Sequence, residues 1–267
     1  MKIALLQMTS GVDPAANAQT ITAAIAETAA GGAAMLFTPE MSGLVDRDKV
    51  RAASSLFAEA DDPVLAAVRE AAATHGIWVH LGSLAVKEES GKLANRGFVI
   101  DAKGDIRARY DKLHLFDVDL PTGESWRESA SYEPGRGAVV VETPAGGLGL
   151  AICYDLRFPD LFRALSDAGA TILAVPAAFT RPTGAAHWHI LLRARAIEAG
   201  AFVVAAAQTG VHEDGRATYG HSLVADPWGL VVARASDGPG IVSTRIDKER
   251  IARVRRMIPV AEHKRAF

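Results

Sequence analysis

The chain has 267 residues, of which 49% are hydrophobic and 22% charged, and its formal net charge is −2. A chain of this size buries roughly three quarters of the surface that it exposes when unfolded, so it can form a sizeable core. The small negative charge argues against nucleic-acid binding, which needs a concentrated basic face. The basic run at Arg253, Arg255 and Arg256 is expected to be a solvated helix face.

The cysteine count and the apolar runs favour a soluble, cytoplasmic protein. The single cysteine, Cys153, cannot form an intrachain disulfide, which fits a reducing compartment. The first ten residues hold one lysine and too short an apolar run for a secretory signal. No apolar stretch is long enough to span a bilayer.

The first half of the chain alternates apolar runs with stretches of helical spacing. Asp13-Pro14 and Asp62-Pro63 each supply an N-cap followed by a first-turn proline. Gly31-Gly32 and Gly76 supply the stops, which predicts two helices. The predicted strands are Met1–Met8, Ala33–Phe37, Ile77–Ala85, Arg96–Asp101 and Asp105–Tyr110.

The second half follows a polar stretch from Asp111 to Gly137, which is too long for an ordinary connection and is expected to be functional. Strands are predicted on both sides of Gly146-Gly147, the second being Leu148–Ile152, and at Thr171–Val175, Ala201–Ala207, Thr218–Ala225, Leu230–Ala233 and Gly240–Ile246. Helices are predicted from Pro159 to about Ala168, at Gly184–Ala199 and at Lys248–Met257. This pattern predicts one α/β domain over residues 1–267, with mixed sheets and a C-terminal tail from about Ile258.

Cys153 follows an apolar strand and comes a few residues before a predicted helix. A nucleophile at such a turn is held clear of its own strand and close to backbone N–H groups. The positive end of the helix, with Arg157 nearby, would favour the thiolate. Free cysteines usually act as small buried hydrophobes, so this segment alone leaves both interpretations open.

Two further polar residues follow apolar strands, and each is a weak signal alone. Glu40 ends the run Phe37-Thr38-Pro39-Glu40, where burial would raise the carboxyl pKa and allow proton exchange near neutral pH. Lys112 lies just past a strand and could stabilise an oxyanion. An exposed glutamate and a solvated lysine are the alternatives, and His114 is expected to be a structural histidine.

The sequence shows no sign of several other chemistries. Its histidines have no paired metal-ligand spacing, and one cysteine cannot build a structural zinc site. Neither a Gly-rich phosphate loop nor a Gly-x-Ser-x-Gly motif occurs.

Glu40 in Thr-Pro-Glu-Met, Lys112 in Tyr-Asp-Lys-Leu-His and Cys153 in Ile-Cys-Tyr-Asp-Leu-Arg-Phe-Pro occur in this order, each after an apolar strand. The combination resembles the nitrilase superfamily of carbon–nitrogen hydrolases, whose catalytic triad is Glu-Lys-Cys. This superfamily also uses a second glutamate shortly before a Pro-Gly pair. Spacing to Pro134-Gly135 favours Glu128 over Glu133 for that position.

Finer detail is similar to the deaminated glutathione amidase branch of this superfamily. The similar stretches are Pro182–Trp188, Leu191–Glu198, Val203–Gln208, Tyr219–Ser222 and Asp226–Gly229. The related omega-amidases share the Thr-Gly-x-Ala-His-Trp pattern but are less similar in the second and third stretches. One departure from the branch is Ala185, where proline is usual.

The resemblance implies a four-layer αββα sandwich, no cofactor or metal, and a homodimer joined through the helices after Cys153 and from Gly184 to Ala199. It implies an amidase that converts the amide of deaminated glutathione, or a similar 2-oxo acid amide, to a carboxylate and ammonia through a cysteine thioester. An omega-amidase or general aliphatic amidase is the first alternative. A non-catalytic binding protein on the same fold is the second.

Under this resemblance Glu40 acts as the base, while Lys112 and the backbone N–H of Tyr154 stabilise the oxyanion. Glu128 helps to place substrate and water. Because the implied substrate carries carboxylates, the pocket should present cations. The expected substrate-binding residues are Arg157, Arg181 and Arg216 as candidate cations, with Phe179, Thr183 and His187 beside them.

Overall fold

The computed structural model describes residues 1–119, 123 and 125–265. The strands are β1 (Lys2–Gln7), β2 (Met35–Phe37), β3 (Trp78–Lys87), β4 (Leu93–Ile100), β5 (Ile106–Asp111), β6 (Asp117–Asp119), β7 (Ser125–Arg127), β8 (Val140–Thr143), β9 (Gly146–Leu150), β10 (Ile172–Ala174), β11 (Phe202–Ala205), β12 (Thr209–Val211), β13 (Ala217–Tyr219), β14 (Leu223–Ala225), β15 (Val231–Arg234) and β16 (Gly240–Arg245). The α-helices are α1 (Pro14–Ala30), α2 (Lys49–Ala52), α3 (Pro63–His75), α4 (Pro159–Asp167), α5 (Arg181–Ala199), α6 (Lys248–Met257) and α7 (Val260–His263).

Two six-stranded mixed sheets form the centre of the molecule. The first has the order β16-β1-β2-β3-β4-β5, and the second has the order β15-β14-β11-β10-β9-β8. Strands β1, β2 and β3 run parallel, as do β9, β10 and β11, while the remaining neighbours in both sheets are antiparallel.

Strand β1 shows why the sheets form inner layers, because both of its faces are apolar and buried. Ile3 and Leu5 belong to the core that also contains Leu148 and Leu150 of the second sheet. Ala4 and Leu6 alternate with them and pack among residues of α1 and α3. Helices α4 and α5 contact each other and strands β9 and β11 of the second sheet. The layers are therefore helix, sheet, sheet, helix, which confirms the predicted αββα sandwich.

The N-cap signals correctly predicted α1 and α3, whereas the short helix α2, capped by Asp48, was missed. The Asp13 carboxylate accepts a hydrogen bond from the Ala15 amide at the start of α1. The Asp62 carboxylate does the same for two amides at the start of α3. Gly76 ends α3 in the left-handed conformation, with φ of 62°.

Several predicted elements have different bounds in the structure. The strand predicted over Thr218–Ala225 is two strands, β13 and β14, because Gly220 and His221 both have positive φ and turn the chain between them. Helix α5 begins at Arg181, three residues earlier than predicted. The long stretch after Asp111 contains the hairpin β6–β7, although residues 120–122 and 124 lie outside the described part.

The C-terminal tail contains the short helix α7, and residues 266 and 267 lie outside the described part. Within the described residues, no helix has the length and apolar character needed to cross a membrane.

Candidate active site

The side chains of Glu40, Lys112 and Cys153 meet at one end of the two sheets. Glu40 follows β2, Lys112 directly follows β5, and Cys153 lies three residues after β9. The ammonium of Lys112 donates a hydrogen bond of 2.9 Å to Oε1 of Glu40. The Cys153 thiol is among the neighbouring groups that lower the Glu40 pKa. All three residues are buried and line the same cavity.

Cys153 sits at a sharp turn between β9 and a short 3₁₀ helix, Cys153–Arg157. Its φ of 49° is left-handed, a conformation that non-glycine residues rarely adopt and that the surrounding structure must hold in place. The Cys153 amide donates to the carbonyl of Pro176 at 2.9 Å, which anchors the turn to the segment that follows β10. Cys153 thus lies on a strained elbow, the geometry expected of a nucleophile at a turn from a strand to a helix.

The carboxylate of Glu40 is fixed by three hydrogen-bond donors. Oε1 accepts from Lys112 and from Nδ2 of Asn95 at 3.0 Å. Oε2 accepts from the Ala178 amide at 2.9 Å. The following residue, Met41, has φ of 54°, so this carboxylate also lies beside a strained turn. Such a set of donors stabilises the ionised form of the side chain.

Glu128 is the second carboxylate of the site. Lys112 donates to both of its oxygens, at 3.1 and 2.9 Å, and the Phe116 amide donates to Oε2 at 2.7 Å. The alternative acid, Glu133, instead contacts the Ser90 hydroxyl on the exposed surface. Of the two acids before Pro134-Gly135, the one favoured by spacing is therefore the one that contacts Lys112.

Asn95 joins these two carboxylates and was missed in the sequence. Its Nδ2 donates to Oε1 of Glu40 and, at 3.1 Å, to Oε1 of Glu128. Asn95 lies on β4 and is 2% exposed. A polar residue between the apolar stretches of a buried strand was the available signal, because buried amides need hydrogen-bond partners.

The protonation states differ from the sequence-based expectation for both Glu40 and Cys153. Burial opposes ionisation of Glu40, but the Lys112 ammonium and the hydrogen bonds outweigh it, so the Glu40 pKa lies below its ordinary value instead of above it. Burial and the adjacent Glu40 charge raise the pKa of Cys153 well above its ordinary value, despite the opposing effect of Lys112. At neutral pH the site therefore holds a thiol beside a carboxylate, not a preformed thiolate.

The cavity beside these residues has a volume of about 390 Å³. Of the expected substrate-binding residues, Tyr154, Arg157, Phe179, Thr183 and Arg216 line it. Arg181 and His187 are exposed and lie outside its lining. His187 instead contacts Nη1 of Arg157 from outside, at 3.3 Å.

Positive side chains outnumber negative ones along the cavity wall. The cationic lining residues are Arg47, Lys49, Lys112, Arg127, Arg157 and Arg216, and the anionic ones are Glu40, Asp46 and Glu128. Several of these charges pair within the protein, since Arg127 binds both oxygens of Asp119 and Asp46 binds Arg51. The surplus favours an anionic ligand.

His114 has a structural role, as the sequence indicated. Its backbone amide and ring Nδ1 contact Oδ1 of Asp155 at 3.0 and 2.7 Å. Its ring stacks on Phe158 with the centroids 3.6 Å apart.

Comparison with known proteins agrees with this geometry. The family model described as carbon-nitrogen hydrolase matches residues 2–256. The deaminated glutathione amidase of Homo sapiens is 43% identical over 268 residues, which cover 98% of this chain and 82% of that protein. The deaminated glutathione amidase of Yersinia enterocolitica is 39% identical, covering 98% of this chain and 92% of that protein.

Solved structures show the same fold. The C. elegans NitFhit protein has a TM-score of 0.92 and 41% identity, covering 99% of this chain and 65% of that longer chain. Saccharomyces cerevisiae Nit3, described as a member of branch 10 of the nitrilase superfamily, has a TM-score of 0.89 and 27% identity, covering 100% and 97% of the two chains. The chain therefore belongs to the carbon-nitrogen hydrolase family.

Proposed function

We propose that the chain is an amidase that hydrolyses 2-oxo acid amides through a thioester on Cys153, with Glu40 and Lys112 completing its catalytic triad. The observation that carries this proposal is the meeting of three buried residues, Glu40, Lys112 and Cys153, at one cavity, where the Lys112 ammonium donates a hydrogen bond of 2.9 Å to the Glu40 carboxylate. A structural cysteine would not account for two buried charges beside it, because burying charges is costly.

In the proposed reaction, Glu40 takes the thiol proton while Sγ of Cys153 attacks the carbonyl carbon of the amide. Lys112 and the N–H of Tyr154 stabilise the resulting oxyanion. Tyr154 is the second residue of its 3₁₀ helix, where backbone N–H groups have no acceptor within the helix. Glu40 then gives the proton to the leaving nitrogen, the C–N bond breaks, and the thioester remains.

A water molecule completes the cycle. Glu40 removes a proton from the water, and the water oxygen attacks the carbonyl carbon of the thioester. Glu40 then returns this proton to Sγ of Cys153 as the C–S bond breaks, and the carboxylic acid is released. Glu128 holds Lys112 from the other side through both of its oxygens and helps to place substrate and water.

We propose deaminated glutathione as the substrate, with short 2-oxo acid amides as the alternative. The support comes from relatives of that name at about 40% identity and from the cationic surplus of the cavity.

The expectation of ammonia as a product needs a correction on chemical grounds. Deaminated glutathione is a tripeptide whose amide nitrogens are substituted, so cleavage after its 2-oxo acyl half releases the dipeptide cysteinylglycine. Ammonia leaves only from primary amides such as 2-oxoglutaramate.

Both substrates yield 2-oxoglutarate, so one assay tests the function. We expect 2-oxoglutarate from deaminated glutathione at a kcat/KM well above that for 2-oxoglutaramate, and none from Cys153→Ala. The reverse preference would favour an omega-amidase. Hydrolysis of neutral aliphatic amides alone would favour a general amidase, and no hydrolysis of any amide would contradict the proposal.

We also propose a homodimer joined through α5. Ile190 and Ile197 of this helix are 68% and 50% exposed. Trp228 and Leu230 are 49% and 60% exposed, and the intervening Gly229 lies against Ile197, so this apolar surface is continuous there. Sedimentation equilibrium should report a dimer that Ile197→Glu weakens, while the equally apolar but separate Val50, changed to Glu, leaves it intact. A monomeric wild-type protein would contradict this proposal.

A further inference from the structure

The cavity wall that contains Trp126 and Arg216 holds two donors without acceptors. Nε of Arg216 and Nε1 of Trp126 are buried and have no hydrogen-bond partner among the described residues. The guanidinium carbon of Arg216 lies 4.9 Å from the centroid of the Trp126 ring, so the indole positions the guanidinium. Buried donors are nearly always paired in folded proteins, so these two donors can each take an acceptor from a ligand.

The charge of Arg216 is only partly balanced within the protein. Oδ2 of Asp214 lies 3.3 Å from Nη2 of Arg216, and it also lies 3.8 Å from Nε of Arg47. One carboxylate is therefore shared between two guanidinium groups. By contrast, Lys112 contacts both Glu40 and Glu128.

Arg216 lines the same cavity as the proposed catalytic carboxylates. The phenol of Tyr132, another residue of this lining, has a raised pKa, caused first by burial and then by the charge of Glu128, and Arg216, Glu40 and Lys112 also act on it.

We propose that Arg216, held against Trp126, binds a carboxylate of the substrate and sets the preference of the enzyme for anionic amides. A carboxylate has only acceptors, and its two oxygens match two N–H groups of a guanidinium. This inference rests on the proposed function. Deaminated glutathione offers two such groups, one on the 2-oxo acyl half and one on the glycine of the leaving half.

Steady-state kinetics of Arg216→Gln tests this role. We expect KM for 2-oxoglutaramate or deaminated glutathione to rise roughly 10- to 100-fold, the usual effect of losing a hydrogen bond to a charged group. A rise for both substrates assigns Arg216 to the acyl carboxylate, and a rise for deaminated glutathione alone assigns it to the glycine carboxylate. The neutral 4-oxopentanamide lacks both groups, so its kcat/KM should stay unchanged. The matched control is Arg253→Gln, an exposed arginine of α6 outside the cavity.

Equal losses for the anionic and the neutral amide would show a structural role and overturn the proposal, as would unchanged KM for both anionic substrates. Arg216→Lys keeps the positive charge but loses the two parallel N–H donors of the guanidinium, so its KM should rise less than that of Arg216→Gln. A binding measurement separates this inference from the proposed activity. Glutarate should slow the alkylation of Cys153 by iodoacetamide in the wild type and not in Arg216→Gln. Equal protection of both proteins would contradict the inference, and this test does not depend on which amide the enzyme hydrolyses.

Discussion

Asp155 and Tyr110 connect the two sides of the active site through one buried hydrogen bond. The Tyr110 phenol donates to Oδ2 of Asp155 at 2.7 Å, and the Ile152 amide donates to the same oxygen at 2.8 Å. Tyr110 lies two residues before Lys112, and Ile152 lies directly before Cys153. One carboxylate with no solvent exposure therefore ties β5, which Lys112 follows, to the turn that contains Cys153.

Asp155→Asn should impair both stability and turnover. An amide at this position cannot accept from every donor that now surrounds the carboxylate, and each buried donor left unpaired costs about 1–3 kcal/mol. We expect a loss of that order in the free energy of unfolding in urea and a lower kcat, because Cys153 and Lys112 lose their common anchor. Tyr110→Phe removes a single donor and should cost about 1 kcal/mol. Unchanged kcat in Asp155→Asn would show that the tie does not position the site.

Lys112→Ala should lower kcat by at least about 100-fold, the usual effect of losing an oxyanion donor. It also leaves the buried Glu40 and the half-buried Glu128 without their shared cation, so the Glu40 pKa rises and less base is available at neutral pH. Steady-state kinetics at pH 7 measures this loss, with the exposed Lys103 changed to Ala as the control. Near-full activity of Lys112→Ala would mean that its assigned role is wrong.

Asn95 should set the acid limit of activity. Because the Glu40 pKa is depressed, its carboxylate persists as the pH falls, and kcat/KM should decline only below the ordinary glutamate range. The Asn95 hydrogen bond is one of the interactions that lower this pKa. Asn95→Ala should therefore move the acid limb of the kcat/KM profile to higher pH. Superimposable acid limbs, with circular dichroism showing both proteins folded, would contradict this role.

Glu40→Gln should abolish hydrolysis while leaving Cys153 open to alkylation. The Glu40 charge is one cause of the raised Cys153 pKa, so its removal should shift the pH midpoint of iodoacetamide labelling downward. Mass spectrometry of Cys153 across pH measures the midpoint. A midpoint at or above the wild-type value would show that Glu40 does not oppose thiolate formation.

Gly82→Ala should separate the base from the nucleophile. A Cβ at Gly82 would lie 2.2 Å from the Thr38 carbonyl oxygen, 2.4 Å from that of Pro39 and 2.6 Å from Cβ of Pro176. The first two residues precede Glu40, and the Pro176 carbonyl anchors the Cys153 amide. We expect a large loss of kcat with a smaller loss of stability. Gly137→Ala, where nothing lies within 4 Å of the new Cβ, is the control. Wild-type kcat in Gly82→Ala would show that the segments around Glu40 and Pro176 can move apart without loss of activity.

The sequence predicted the elements whose signals are local and missed what tertiary contacts decide. Caps and stops located α1 and α3, and strand ends located Glu40, Lys112 and Cys153. By contrast, the break between β13 and β14 depends on φ angles that the apolar run did not indicate. The cavity wall is assembled from distant segments, which explains why Arg181 was expected there although the structure places it outside.

The pKa of Glu40 is a second property that local sequence signals could not predict. The position of Glu40 in the sequence indicates burial, and burial alone raises a carboxyl pKa. The sign changes because Lys112 and Asn95 arrive from β5 and β4, and no local pattern around Glu40 shows them.

Glu40, the proposed base, follows a strand of the first sheet, and Cys153, the proposed nucleophile, follows a strand of the second. The distance between Glu40 and Cys153 therefore depends on the spacing of the two sheets, which is set by the side chains packed between them. Residues such as Phe37, Leu148 and Leu150 act as spacers in this sense. Substitutions that change their volume would alter catalysis without touching the cavity, so screens for activity in this enzyme should recover mutations from the middle of its core.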